Sequence, residues 1–466
     1  MNLSKAIRLS NSVCLALTGA GGKTTGLFQL AHELSSRGEP VIVTATTHLH
    51  VDQIKLADSH WVAKISDDLA GFEKDLHGVM LVTGPREGDR TIGVSPDVLS
   101  RLREFHESCH LPLLIEADGS RRRPLKAPAE YEPVTPEFVD KVLVFAGLTG
   151  LGKPLTNEYV HRPEIFARLS GLNEGDVITP EALVRVLTHP LGGLKNIPPG
   201  AKCVALLNQA DTPVLQAQAK MIAGQLLPGY QAVIAASLNP PSNLPGLQSK
   251  IHAVYEPVAG IILAGGGSTR FGQPKQLLDW HGKPFIRAVA ETALSAGIAP
   301  VWVVTGAHGE QVENALNGLD VGIVYNRDWQ TGQSSSIQTG MRALAQAPAR
   351  AFSHIDKELA GAWEGIGAAF FLLADQPQVT PPILHALVEE HSRTLASIVA
   401  PMVDGQRANP VLFDRTTFPE LMALSGDVGG RAIFSKVNVN YLTWHDEDLL
   451  ADVDTTDDYR KLVNRV

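Results

Sequence analysis

The sequence predicts an α/β protein of two domains, each a mostly parallel sheet with helices on both faces. Short continuous apolar runs of buried-strand length recur along the chain and alternate with amphipathic helical stretches, the pattern of parallel strands covered on two sides. At 466 residues the chain exceeds what one hydrophobic core usually organises. The alternation is interrupted by the proline-rich stretch SLNPPSNLPGLQS, Ser237 to Ser249, which reads as a linker. The predicted boundaries are a first domain over 1–236, a linker over 237–257 and a second domain over 258–466.

The strands expected in the first half are VCLALT, PVIVTAT, LPLLIEAD, DKVLVFAG and KCVALLNQ, and in the second GIILAGG, PVWVVTG, AAFFLLAD and ASIVAPM. Lys5 and Arg8 before VCLAL imitate a secretory leader, but that apolar run is shorter than the roughly 7 to 15 residues of a leader's core, so it is the first strand.

Composition narrows the function. Hydrophobic content of 44% and charged content of 19% are those of a globular protein. The formal charge is −9, and the sole basic cluster is Arg121 to Arg123, which disfavours a nucleic-acid partner. No apolar run approaches the ~18 residues of a membrane span. Cys14, Cys109 and Cys203 are scattered and form no C-x-x-C, which argues against a disulfide framework and a cysteine metal site and fits a reducing cytoplasm.

Each half opens with a strand running into a glycine-rich loop. In the first, GAGGKTT, Gly19-Ala20-Gly21-Gly22-Lys23-Thr24-Thr25, reads as a phosphate-binding loop whose G-x-x-x-x-G-K-[ST] pattern lacks a glycine at Leu17. Lys23 can still reach β and γ phosphates, Thr24 can meet Mg2+, and the following helix presents its positive end. Glu116 and Asp118 end a buried strand and suit a metal-associated acidic position. Asn208 and Asp211, in NQAD, resemble the N-K-x-D base reader with Gln209 in place of lysine, or form a bland loop. The expected ligand is GTP or ATP. His48 and His50 are a metal pair or, the better reading, a solvated loop.

In the second half, Leu263-Ala264-Gly265-Gly266-Gly267-Ser268 bends closely round a ligand, and Arg270 and Lys275 supply the charge to hold a triphosphate and stabilise leaving pyrophosphate. Asp375 stands at the carboxyl end of a strand, where open parallel sheets bind ligands, and is a natural Mg2+ ligand. Asp454, in DVDTTDDY, is a second metal candidate or part of a helix-capping cluster. Ser334 to Ser336 open a helix as caps or contacts, and Gly426-Asp427 to Arg431 is an acceptor-binding loop or a turn closed by a salt bridge.

The motifs LAGGGSTRFGQPKQLL, NRDWQTGQSSSIQTGM, LLADQPQVTPPIL, PMVDGQRANPVLF, LSGDVGGRAIF and VDTTDDY, taken in order, resemble the molybdenum-cofactor nucleotidyltransferases, most closely the cytidylyltransferase branch. The resemblance implies a Rossmann-like second domain that uses Mg2+ and CTP to make molybdopterin cytosine dinucleotide. The glycine loop, Arg270 and Lys275 would hold nucleotide, Asp375 and Asp454 would bind Mg2+, and molybdopterin's own phosphate would be the nucleophile. One departure is Arg407-Ala408-Asn409-Pro410 where the family has a G-H-P turn. In the first half GAGGKTT is similar to phosphate loops of the GGxGKTT type. Together with TATTHLH, EADGSRRRPLKAPAEYEP, VHRPE and LLNQAD it also resembles the selenium-dependent hydroxylase accessory family (YqeC-like), whose recurring motifs contain Lys126, Glu132, His161 and Arg162. A P-loop-like first domain and an apo molybdenum hydroxylase as partner are the implied expectations. The rivals are transfer from GTP or to a sugar phosphate, and a non-catalytic cofactor carrier.

Overall fold

The computed structural model describes all residues except 240–248, 268–270, 272, 347–362, 364 and 466. Two compact units divide at residue 255, the first being Met1–Tyr255 and the second beginning at Glu256.

The first unit is built on a nine-stranded sheet of described residues. In chain order its strands are β1 (Cys14–Gly19), β2 (Val41–Ala45), β3 (Ser59–Val62), β4 (Val79–Thr83), β5 (Leu113–Glu116), β6 (Lys141–Gly147), β7 (Lys202–Asn208), β8 (Ala232–Ser237) and β9 (Lys250–Tyr255). Across the sheet the order is β9-β8-β7-β6-β1-β5-β2-β4-β3, parallel throughout except for the antiparallel β8–β9 pair. The five strands expected from sequence are all present, and their continuous burial explains why they carry no polar alternation. The helix Lys23–Ser35 lays Leu27, Leu30, Ala31 and Leu34 against the sheet, a spacing of three and four residues that keeps them on one face.

β9 corrects the expected boundary. Lys250–Tyr255 was assigned to the linker, yet it pairs Ala235 with Ala253 and Val233 with Tyr255 at the sheet edge. An edge strand needs only part of its surface apolar, so KIHAVY lacks the solid apolar run that marked the others. The proline-rich remainder of the linker lies mostly outside the described residues.

The second unit has strands β10 (Val258–Ala264), β11 (Val301–Thr305), β12 (Gly322–Tyr325), β13 (Ala368–Leu373), β14 (Ile398–Val403), β15 (Gln406–Arg407), β16 (Val411–Asp414) and β17 (Val439–Thr443). Their order is β12-β11-β10-β13-β16-β14-β15, with β17 parallel to β14; β16 runs antiparallel to both its neighbours. Alternate residues of β13 serve two faces. Ala368, Phe370 and Leu372 pack with the helices Phe285–Ser295 and Pro381–Thr394, while Ala369 and Phe371 pack with the helix Gln333–Gln346. Because β10, β13 and β14 point the same way, the loops that follow them open on one edge.

Candidate functional site

In the first unit the sheet order reverses around β1, whose neighbours β5 and β6 lead to opposite halves, and the loops after β1, β5, β6 and β7 meet there. Gly19, Gly21 and Gly22 have φ of 90°, 85° and 118°, in the left-handed region. A Cβ on Gly21 would stand 2.5 Å from the Gly147 backbone. The loop is thus folded down on the end of β6, and the missing glycine at Leu17 is immaterial because Leu17 is a buried strand residue paired with Glu116. Gly22 starts the helix without a side-chain cap, so no side chain of the cap residue takes up the first-turn N–H groups, the groups that bind anions at a helix N-terminus. Thr24 Oγ1 donates to Glu116 Oε2 at 2.9 Å, joining the expected metal-side hydroxyl to a strand-end carboxylate.

Behind the loop runs a buried chain of alternating charge. Lys23 Nζ donates to Gly19 O at 2.6 Å and lies 3.1 Å from Asp118 Oδ1. Asp118 Oδ2 accepts from Gly19 N–H at 3.0 Å and from Lys126 Nζ at 2.8 Å. Lys126 also donates to Glu132 at 2.8 Å, and Arg162 grips Glu132 with two bonds of 2.7 and 2.9 Å. Burial works against ionised Glu132, but the hydrogen bonds and charges of Arg162 and Lys126 hold its carboxyl down at about 2. Burial, then the charges of Arg162, Lys126 and Arg121, keep His161 neutral down to about 4. Burial pushes the Glu116 carboxyl up, against the pull of Lys23 and Thr24. Lys126, Glu132 and Arg162, read as either ion pairs or ligand contacts, are therefore ion-paired with one another.

Asn208 has a different task from the one expected. Its Nδ2 donates to Gly21 O at 2.7 Å and its Oδ1 accepts from Leu238 N–H at 2.8 Å, with the side chain buried beneath the loop. Its amide braces the glycine loop instead of facing a base, while Asp211 stands exposed beyond it. His48 is exposed and His50 Nδ1 accepts from Asp52 N–H at 3.2 Å, so they form a solvated, self-capping turn, not a metal pair.

In the second unit the glycine loop leaves β10 at Ala264; Ser268 and Arg270 lie outside the described residues. Gln276, which sequence reasoning passed over, is buried under the loop and its Nε2 donates to Gly266 O at 3.3 Å. The ring of Trp329, also missed, stands 3.2 Å from where a Cβ on Gly267 would be. Lys275 Nζ donates to Asp454 Oδ1 at 2.7 Å across 179 residues. The helix Thr456–Arg465 is capped by Thr455, whose Oγ1 accepts from Asp458 N–H at 3.2 Å, which leaves Asp454 to Lys275 and answers the capping alternative. Burial pushes the Asp375 carboxyl up, its own backbone and the charge of Lys275 oppose this, and the charges of Asp452 and Asp454 add to it. Asp452 also accepts from Gln376 Nε2 at 3.2 Å. Two residues before Asp454, it could have been found as its same-side neighbour in an extended segment. Among the described residues no three His, Cys, Asp or Glu side chains form a ready metal cage. Asp375 with Asp454, which already holds an ammonium, is nonetheless a donor set that suits Mg2+, which takes one or two carboxylates plus phosphate oxygens.

The serine run and the 426–431 loop meet. Ser334 Oγ donates to Gly426 O at 2.5 Å, Gln333 N–H donates to Asp427 Oδ1 at 3.2 Å, and Ser336 Oγ lies 3.1 Å from a Cβ built on Gly265. Asp427 thus caps the helix and makes no salt bridge with Arg431.

The family profile described as YqeC protein matches residues 15–164, and that described as MobA-like NTP transferase domain matches residues 260–441. Uncharacterized protein YqeC of Escherichia coli (strain K12) is 33% identical over 212 residues, 44% of this chain and 80% of its own. Nicotine blue oxidoreductase of Paenarthrobacter nicotinovorans is 29% identical over 216 residues, 44% of this chain and 96% of its own. Probable molybdenum cofactor guanylyltransferase of Bacillus cereus (strain ATCC 10987 / NRS 248) is 26% identical over 211 residues, 43% of this chain and 93% of its own. No helix among the described residues is long and apolar enough to cross a membrane.

Proposed function

Because the chain belongs to the YqeC family through its first unit and to the MobA-like NTP transferases through its second, we propose that it matures the cofactor of molybdenum hydroxylases by transferring CMP from CTP to molybdopterin. The second unit is a nucleotidyltransferase, and the convergence of Lys275, Asp375 and Asp454 beside the glycine loop carries the reading. An oxygen of molybdopterin's phosphate attacks the α-phosphorus of CTP, the bond from that phosphorus to the α–β bridging oxygen breaks, and pyrophosphate leaves with the bond's electrons. Lys275 neutralises charge that grows on the leaving group, and Arg270 is assigned the same work. Asp375 and Asp454 would hold Mg2+, whose positive charge would lessen the repulsion between triphosphate and nucleophile. No protein nucleophile is required, since positioning and charge neutralisation suffice.

The first unit binds a purine nucleoside triphosphate at Gly19–Thr25 and acts on the same cofactor's delivery to an apo hydroxylase. The choice of CTP rests on the cytidylyltransferase-like motifs, against the guanylyl transfer in the name of the Bacillus cereus relative. Purified chain incubated with each NTP, Mg2+ and molybdopterin decides it. Pyrophosphate release with CTP alone is expected; release with GTP alone reassigns the nucleotide, and none with any NTP leaves a carrier.

A further inference from the structure

Arg162 and Arg287 each rest on a carboxylate, Glu132 and Glu291. Arg407 and Arg431 do not: among the described residues neither has a carboxylate at ion-pair distance, and the side-chain hydrogen bond of Arg407 is with the Tyr441 phenol. Geometry nevertheless holds them together. Arg407 sits on β15, whose pairing with Met402 closes a hairpin at the carboxyl end of β14, on the same edge as the glycine loop. Its guanidinium lies 4.3 Å from the centre of the Phe434 ring. Phe434 closes the turn that begins at Gly430, its N–H donating to Arg431 O at 3.2 Å, so Arg431 shares the turn on which Arg407 stacks. That turn is anchored by Gly430 against Phe413, and the loop leading into it is tied through Gly426 and Asp427 to the N-terminus of the helix whose Ser336 touches the glycine loop.

Two neighbouring cations without a counter-charge repel each other, and burial and the charge of Arg431 both weaken the hold of Arg407 on its proton. An arrangement of that kind is relieved by a dianion between the forks. From two guanidinium groups that lack a carboxylate partner, the Phe434 ring beneath Arg407 in the turn that carries Arg431, and their place at the edge of the transferase site, we propose that Arg407 and Arg431 clamp the phosphomonoester of the acceptor substrate. This deepens the transferase reading above and rests on it. It also gives the departure at Arg407-Ala408-Asn409-Pro410 a use, with an arginine fork standing where the family has its G-H-P turn. The bound phosphate would keep one oxygen turned to the α-phosphorus, the forks holding the other two.

The same dianion chemistry could belong to the triphosphate or to leaving pyrophosphate, and kinetics separate them. In full-length protein, Arg407→Gln and Arg431→Gln are expected to raise the KM for molybdopterin at least tenfold each, with the KM for the nucleotide within about twofold of the parent, and Arg407→Lys to recover part of the loss. A rise confined to the nucleotide KM would assign the pair to the triphosphate and overturn the proposal. Equilibrium binding of phenyl phosphate, measured without nucleotide and with inorganic phosphate as competitor, tests the clamp apart from turnover. The parent should bind it and the double variant should bind at least tenfold more weakly, with unchanged thermal unfolding. Equal binding by both, or none by the parent, overturns the clamp, whereas a parent that binds phenyl phosphate but transfers no nucleotide to molybdopterin sinks the transferase reading alone.

Discussion

At the scale of single residues, charge decides what the two sites can do. Lys275 is a point charge already paired with Asp454, and its contact with phosphate would strengthen as pyrophosphate departs. Lys275→Ala should therefore lower kcat on the order of 10²-fold with a folded protein, read as pyrophosphate release in single turnover; an unchanged rate removes Lys275 from the chemistry. Asp375 binds a cation only when ionised, and its carboxyl titrates above the usual aspartate range because burial and two neighbouring carboxylates disfavour the charge. Mg2+-dependent turnover should thus fall on acidification earlier than an ordinary aspartate would dictate, and Asp375→Asn should abolish most activity and raise the Mg2+ concentration that the remainder needs; a variant needing no more Mg2+ than the parent would make Asp375 a strand-end cap. In the first unit His161 is neutral down to about 4, while the unfolded imidazole takes its proton near 6.5. Between those values the unfolded state binds more protons, so stability falls as pH falls through that window. His161→Asn should flatten this part of the stability profile, measured by chemical denaturation at pH 4.5 to 7. Glu132 acts lower: its ion pairs stabilise the fold above about 4.5 and lose that effect as pH approaches about 2.

At the scale of elements, the loop Gly19–Thr25 shows how a strand end and a distant amide make one object. Asn208, at the end of β7, satisfies Gly21 O and Leu238 N–H together, so Asn208→Ala would leave both buried groups without a partner. A loss of roughly 2 to 6 kcal/mol is expected from two such groups, seen as a lower melting temperature with weakened nucleotide binding; a variant as stable as the parent would mean that water replaces the brace. What could be read from sequence at this scale followed solid apolar runs and local glycine chemistry. VCLALT, AAFFLLA and the two glycine loops announce themselves because their residues are neighbours in the chain. β9 did not, since an edge strand such as KIHAVY carries no continuous apolar signal. Nor did the cap made by Asp427 on the helix Gln333–Gln346, or the Lys275–Asp454 pair, because both join segments far apart in sequence. Asn208 illustrates a subtler failure: its motif was visible, but which way an amide faces is decided by the loop above it.

At the scale of the molecule, the first unit contains a complete sheet of its own, with β9 closing its edge and a core assembled from Met1–Tyr255. A segment ended at residue 236 would strip β9 from β8 and expose that strand's backbone, whereas one ended at 255 keeps the ladder. Residues 1–255 produced alone should therefore fold cooperatively, and the shorter piece should be less stable or aggregate. The folded segment should bind a purine nucleoside triphosphate with Mg2+, because the uncapped helix end, Lys23 and the Thr24–Glu116 pair are all internal to it. On binding, the Lys23 ammonium must exchange Gly19 O and Asp118 for phosphate oxygens, so the Lys23→Ala variant should bind at least tenfold more weakly. With Asn208 occupied as a brace, base preference falls to exposed groups, and a preference for GTP over ATP would place Asp211 against the guanine edge, while a preference for ATP would retire it. Calorimetry of this segment that shows no nucleotide binding, with and without Mg2+, would make GAGGKTT a tight turn between strand and helix, and the chain of charges behind it a structural ion network alone.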